Sequence, residues 1–235
     1  MNLMGKSISA FLLFLVSLIY QSKGQNDAFK KSGFIDLNYY YDTRNETDGT
    51  INLLLKTSSQ LSYFGFVNFI GNQNELSTNS FYSEHNLRYG VTPSNQIQIT
   101  IQHIMRNGES NDASRLGIRW SLFKHPAFKD SKLAKLVFYS INPFIVEFGS
   151  QFEASYFTAI EHVYKITLIP NKLYIGGFGD QNFIPKKGVK ANWVTEHQLG
   201  YRVYDDFHLI AEFRLNQYLE QEMGVGMGFQ YKTTF

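Results

Sequence analysis

Apolar and polar residues alternate along most of this 235-residue chain. From Gln96 to Met105 (QIQITIQHIM), Ile97, Ile99, Ile101 and Met105 fall on one side of an extended backbone. Gln96, Gln98, Thr100 and Gln102 fall on the other. A period of two marks a β-strand with unlike faces. Similar runs recur at about the 10-residue length of a tilted membrane-spanning strand. They are Gly33–Thr43, Thr50–Lys56, Leu61–Gly71, Phe81–Gly90, Gln96–Met105, Ser114–Phe123, Lys135–Glu147, Phe152–Leu168, Leu173–Asp180, Asn192–Tyr204, Phe207–Asn216 and Val225–Phe235. No segment has a helical period. Proline sits in or near the turns (Pro93, Pro126, Pro170, Pro185), except Pro143, which falls inside a proposed strand. The pattern predicts an all-β protein: an antiparallel transmembrane β-barrel of about twelve strands.

The connections alternate as such a barrel requires, with short turns at the periplasmic end and longer loops outside. Thr57–Gln60, Thr92–Asn95, Pro170–Lys172 and Tyr204–Asp206 are tight and polar. Arg44–Gly49, Asn72–Ser80, Arg106–Asn111, Gln181–Ala191 and Gln217–Gly224 are longer and richer in Asn, Gly and charge. Lys124–Ala134 is long for an inner turn, and Phe148–Gln151 is short for an outer loop. No repeat, linker or shift in composition divides residues 25–235, which read as one domain.

The two ends of the chain separate a membrane barrel from a soluble β-sandwich. Lys6 precedes an apolar run of thirteen residues, Ile8 to Tyr20, and Ser22 and Gly24 are small residues at −3 and −1 of a cleavage after Gly24. This is the form of an export signal over residues 1–24, and the run is shorter than the roughly 20 residues of a membrane helix. At the other end, GVGMGFQYKTTF places Val225, Met227, Phe229, Tyr231 and Thr233 on one face and stops on Phe235. Such an ending resembles the C-terminal signature of bacterial outer-membrane barrels, which the barrel assembly machinery reads.

With 21 Phe and 15 Tyr, aromatics are 16% of the residues, yet mean hydropathy is only −0.24. Polar lumen positions alternating with apolar lipid positions, plus aromatic girdles, give this balance. Cysteine is absent, which excludes lipoprotein acylation, disulfides and thiolate metal sites. Cleavage after Gly24 removes Lys6 and Lys23 but no acid, so 22 bases become 20 against 20 acids. A neutral chain without a basic stripe argues against a nucleic-acid partner.

Phe64–Phe69 (FGFVNF), Tyr82–Arg88 (YSEHNLR), Arg119–Phe128 (RWSLFKHPAF), Gly176–Asp180 (GGFGD) and the terminal KTTF together resemble the Tsx-like outer-membrane channels, over nearly the whole mature chain. The chain has Asn68 where an Asp is usual in the first motif. The resemblance implies a monomeric twelve-stranded barrel in the outer membrane of a Gram-negative bacterium. It also implies a narrow lumen in which aromatic and polar side chains hold nucleosides.

Parity assigns the lumen face, because an amide in hydrocarbon lacks partners. Besides the Gln face of Gln96–Met105, the lumen receives Asp36, Asn38, Glu84, Asn86, Arg88, Arg115, Arg119, Glu153, Glu161, Lys165, Asp180, Glu196, Gln198, Arg202, His208, Glu212, Arg214 and Lys232. Phe64, Phe66 and Phe178 share parity with Asn68 and Asp180. Aromatics in a wet lumen either stack on a flat solute or fill space against the wall. The candidate substrate contacts are Phe64, Phe66 and Phe178 for stacking, and Asn68, Glu84, Arg88, Asp180 and Arg214 for hydrogen bonding.

No GxSxG, HExxH or paired-histidine set appears among His85, His103, His125, His162, His197 and His208. The expectation is therefore no catalysis, no metal and no cofactor. Gly176, Gly177 and Gly179 precede no helix, so they are not a phosphate loop. Two readings stand: a passive channel for small polar solutes, with nucleosides first, or a non-transporting structural or surface-binding barrel closed by its own ion pairs.

Overall fold

The computed structural model describes residues 30–72, 80–149, 154–184 and 190–235. The signal-like residues 1–24, Glu153 and parts of three outer connections lie outside the described residues. Twelve strands run in order: β1 (Ser32–Asp42), β2 (Glu46–Lys56), β3 (Leu61–Asn72), β4 (Phe81–Gly90), β5 (Ile97–Arg106), β6 (Ala113–Ser121), β7 (Val137–Gly149), β8 (Ala154–Ile169), β9 (Leu173–Ile184), β10 (Lys190–Tyr204), β11 (Phe207–Asn216) and β12 (Met223–Thr234). Each pairs antiparallel with the next, and β12 pairs with β1 to close the barrel. The end carrying the tight turns, such as Thr57–Gln60, is called the inner rim, and the opposite end the outer rim.

Burial is inverted relative to a water-soluble protein. Asp36, Asp42, Asp48, Glu84, Asn86, Arg88, Thr100 and Gln102 are buried, whereas Ile35, Leu37, Ile51, Ile99, Ile101, Val225, Met227 and Phe229 are exposed. A belt of exposed Ile, Leu, Val and aromatics around a polar interior suits hydrocarbon outside and water within. Among the described residues no helix is long and apolar enough to cross a membrane. The seam is completed at the chain end: the N–H of Gly33 donates to Phe235 O at 2.9 Å and the N–H of Phe235 donates to Gly33 O at 3.1 Å.

Three expectations need correction. The first is that Arg44–Gly49 is not a loop, because β2 already starts at Glu46. Asp42 Oδ1 accepts the N–H of Arg44 at 2.8 Å, the N–H of Asn45 donates to Asp42 O at 3.0 Å, and Asn45 takes a φ of 63°. An Asx-type turn thus closes the hairpin in three residues. A second correction concerns Lys124–Ala134, where the long inner connection holds a 3-10 turn (Leu122–Lys124) and leads into a short helix, α1 (Lys132–Leu136). Ser131 caps α1 by accepting the N–H of Ala134 at 3.1 Å. Lastly, β9 and β10 continue past Asp180 and Asn192, so the Gln181–Ala191 loop is shorter than expected.

Pro143 does lie within a strand, β7, and the ladders make room for it. Register shifts occur on both sides of β7, between Leu116 and Gly117 against β6 and between Phe144 and Val146 against β8. The second places Phe157 of β8 at a φ of 54°. Bulges are where a sheet tolerates a residue without an N–H.

Candidate functional site

A cavity of about 1600 Å³ occupies the barrel and is lined from Ser58, Gln60 and Lys124 at the inner rim to Ser80, Arg106 and Tyr218 at the outer rim. Phe64, Phe66, Asn68, Glu84, Arg88, Phe178, Asp180 and Arg214 all line it. Strand parity brings them there: with one face held against lipid, every second side chain points inward.

Five of the eight share one wall, formed by β3 and β4. Phe64 and Phe66 lie 6.4 Å apart between ring centroids, and Phe66 and Tyr82 lie 5.9 Å apart, both tilted. The Arg88 guanidinium stands over the Phe64 ring at 5.2 Å. Asn68 Oδ1 accepts the Thr50 hydroxyl at 2.8 Å. Glu84 accepts the Tyr82 hydroxyl and the Gln102 amide at 2.9 Å.

Phe178 and Asp180 belong to β9, six strands from β3 in a ring of twelve and therefore on the opposite wall. Phe66 is five residues beyond Leu61 (66 − 61) and Phe178 five beyond Leu173 (178 − 173), each counted from the inner end of its strand. The two rings thus stand on opposite walls of the lumen, each five residues in from the inner end of its strand. Arg214, nearer the outer rim, is held by Asp48 and Glu212 and stands over the Tyr40 ring at 4.8 Å.

The wall between these sides is a hydrogen-bonded network. The Tyr174 hydroxyl is 2.7 Å from Gln198 Oε1 and 2.6 Å from Gln230 Oε1. Gln198 Nε2 donates to the Tyr40 hydroxyl at 2.9 Å, and Gln230 Nε2 donates to Asp36 Oδ2 at 2.8 Å. These bonds tie β9, β10, β12 and β1 together on one side of the cavity.

Several lumen residues were not among the sequence candidates: Tyr40, Arg44, Glu46, Asp48, Lys56, Tyr82, Lys124 and Tyr174. Parity with Asp36 and Asn38 identifies Tyr40, and parity with Glu84 identifies Tyr82. Glu46 and Asp48 were hidden by reading the outer half of β2 as a loop. Lys124 belongs to a turn, where strand parity has no force. Burial, then Arg119, Lys56 and Arg88, push the Lys124 ammonium down to about 8.

His208 shares the inward face of β11 and meets the Tyr174 ring edge-on at 6.0 Å between centroids, while other histidines stand on the outer wall. His162 and His197 point outward and meet the hydroxyls of Tyr139 and Tyr164, each at 2.8 Å, and Nδ1 of His85 meets Tyr63 at 2.7 Å. Among the described residues no three metal-binding side chains converge.

No protein-family model and no curated protein matches this chain. Solved structures do. The KdgM porin aligns with a TM-score of 0.52 at 12% identity, covering 84% of this chain and 98% of that one. KdgM porin in complex with disordered oligogalacturonate gives the same values. The NanC porin aligns with a TM-score of 0.56 at 8% identity, over 85% of this chain and 100% of that one. The closed twelve-stranded antiparallel barrel described above has the fold of these porins.

Proposed function

We propose that this protein is a passive channel of the outer membrane of a Gram-negative bacterium, admitting small polar solutes, with nucleosides the leading class. The observation that carries the reading is the continuous cavity lined by residues of both rims. It weighs against a structural barrel closed by its own ion pairs. The apolar outer belt gives the protein its membrane, and Phe235 in the closing seam gives the barrel assembly machinery its handle. The Tsx-like motifs add a monomeric state to this reading.

Nucleosides are favoured by Phe66 and Phe178 on opposite walls of the lumen, since every base has a face on which aromatics stack. Asn68, Glu84 and Asp180 supply acceptors, and donors, for the sugar and base edges. The Tsx-like motifs point to the same class.

Single-channel recording of the purified protein in planar bilayers tests this. The expected result is a stable conductance that millimolar adenosine partly blocks. Absence of any current overturns the channel. Current that adenosine leaves unchanged overturns the nucleoside assignment and leaves a general pore.

A further inference from the structure

Lumen charge is divided along the barrel axis. In the outer half three of the four lining arginines are paired with carboxylates, and the fourth, Arg106, donates to the Asn111 carbonyl oxygen at 2.7 Å. Arg44 meets Asp42 at 2.9 Å and Glu46 at 3.4 Å, Arg115 meets Glu147 at 2.6 Å, and Arg214 meets Asp48 and Glu212. In the inner half Lys232 meets Asp36 at 3.5 Å, whereas Lys56, Arg88, Arg119 and Lys124 all line the cavity and, among the described residues, none of these four has a carboxylate within ion-pair distance.

These four form one arc of wall. Lys56 pairs in register with Ser62, Ser62 with Arg88, and Arg88 with Thr100. Gln98 pairs with Arg119, and Lys124 follows shortly after the end of β6. Alternate strands β2, β4 and β6 thus present a cation, and β3 and β5 between them present neutral Ser62, Gln98 and Thr100. Arg119 has neutral acceptors only, Ser140 Oγ at 3.2 and 3.1 Å and Gln98 Oε1 at 2.9 Å. Arg88 is 5% exposed, and its Nε donates to no protein atom. Glu84 and Glu161 are the carboxylates whose field reaches Arg88, and both stand beyond pairing distance.

We infer that this arc is an oxyanion filter, selecting solutes that carry a phosphate or carboxylate group over neutral or cationic solutes of the same size. The inference rests on the channel reading and narrows its substrate class. A buried guanidinium without a counter-charge is unfavourable, and an oxyanion entering the arc relieves that state. Guanidinium forks bind planar and tetrahedral oxyanions through paired charge-assisted hydrogen bonds, while Lys56 and Lys124 add point charges at the rim. Phe64 and Phe66 sit just above Arg88, toward the outer rim. A flat body on those rings with its anionic group on Arg88 and Arg119 fits the wall, as in a nucleoside monophosphate.

The test is reversal potential in a KCl gradient, with block by AMP, galacturonate and adenosine compared in the same bilayers. Wild type is expected to prefer chloride, and AMP to block at roughly tenfold lower concentration than adenosine. Block by galacturonate at similar concentration extends the filter to carboxylates, and block by AMP alone restricts it to phosphate. Arg88→Gln/Arg119→Gln should abolish the preference, and Arg88→Lys/Arg119→Lys should retain most of it. Lys56→Gln/Lys124→Gln, at the rim, should reduce it even if the arginine variants fail to assemble. A wild-type pore that favours potassium, or AMP and adenosine equal in block, overturns the filter and leaves the channel standing. If wild type passes no current, the channel reading falls, and calorimetric titration of AMP into the detergent-solubilised protein decides the site. Binding lost in the Gln variants supports it, and no binding by wild type overturns it.

Discussion

Tyr164 of β8 and His197 of β10 lie on strands that are not neighbours, yet the Tyr164 hydroxyl reaches His197 Nδ1 at 2.8 Å. Both residues pair with Gly177 of the intervening strand β9. The ring of Tyr164 lies across that glycine on the outer wall. A hydroxyl that would otherwise face hydrocarbon without a partner is satisfied within the barrel itself.

Gly177 is therefore fixed by space. A Cβ there would come within 2.0 Å of the Glu196 carbonyl oxygen, whereas a Cβ at Gly179 would meet only Thr195 Cγ2 at 3.5 Å. Gly177→Ala should lower the unfolding midpoint in detergent micelles markedly, and Gly179→Ala should leave it near wild type. Equal midpoints for the two variants would refute the close approach of β9 and β10.

Side-chain direction on β5 and β2 makes a second contrast. Ile99 is 42% exposed on the outer belt, while Asn52 lines the lumen and pairs in register with Asp36. Ile99→Arg should cost about 2–4 kcal/mol if it stands at the bilayer midplane. Asn52→Arg gains the Asp36 carboxylate as a neighbour and should cost far less. Refolding titrations into lipid vesicles measure both, and similar losses would contradict the assigned faces.

The depressed Lys124 ammonium, pushed down to about 8 by burial and by Arg119, Lys56 and Arg88, has two consequences of opposite sense. Its charge leaves the inner rim as pH rises through about 8, so any preference for anions should weaken between pH 7 and 9. Stability runs the other way. Between about 8 and the unfolded value of roughly 10.4, the unfolded chain holds more protons at this site, so the site makes stability rise with pH there. Lys124→Gln should remove both dependences. A pH profile unchanged by that substitution would exclude Lys124 as the titrating group.

Stacking makes a final prediction. Removing one of the two rings on opposite walls, Phe66→Ala or Phe178→Ala, should weaken adenosine block by about 1–3 kcal/mol. Phe138→Ala should do less, because that ring already stacks under Arg119 at 5.5 Å. Current recordings with adenosine titration compare the three. Equal weakening in all would mean that the block arises from general narrowing rather than from stacking.

Strand positions were legible because a barrel wall repeats one demand at every second residue. Hydrocarbon on one side excludes unpaired polar groups, and that exclusion writes the alternation of Ile97–Gln102 into the chain. Parity also carried Phe64, Phe66 and Phe178 to the cavity. Height in the barrel was not legible, because it depends on the stagger between strands, which hydrophobic period does not encode. Parity therefore placed the lumen charges without showing that the cations are paired around Arg214 and unpaired around Arg88. Glu46 to Gly49 misled for another reason: Glu, Thr, Asp and Gly are turn-forming residues, and only the pairing to β1 and β3 makes them a strand.

The cluster of unpaired cations at one end, Lys56, Arg88, Arg119 and Lys124, makes the two mouths of the barrel electrically unequal. Ions driven inward meet the fixed charge last, and ions driven outward meet it first. On the channel reading, opposite voltages of equal size should fill the lumen with carriers to different extents, and the barrel should rectify. The asymmetry fades as salt shortens the reach of the fixed charge. The sense of rectification also reports which way round a barrel has entered a planar bilayer, a marker of orientation built into Lys56, Arg88, Arg119 and Lys124.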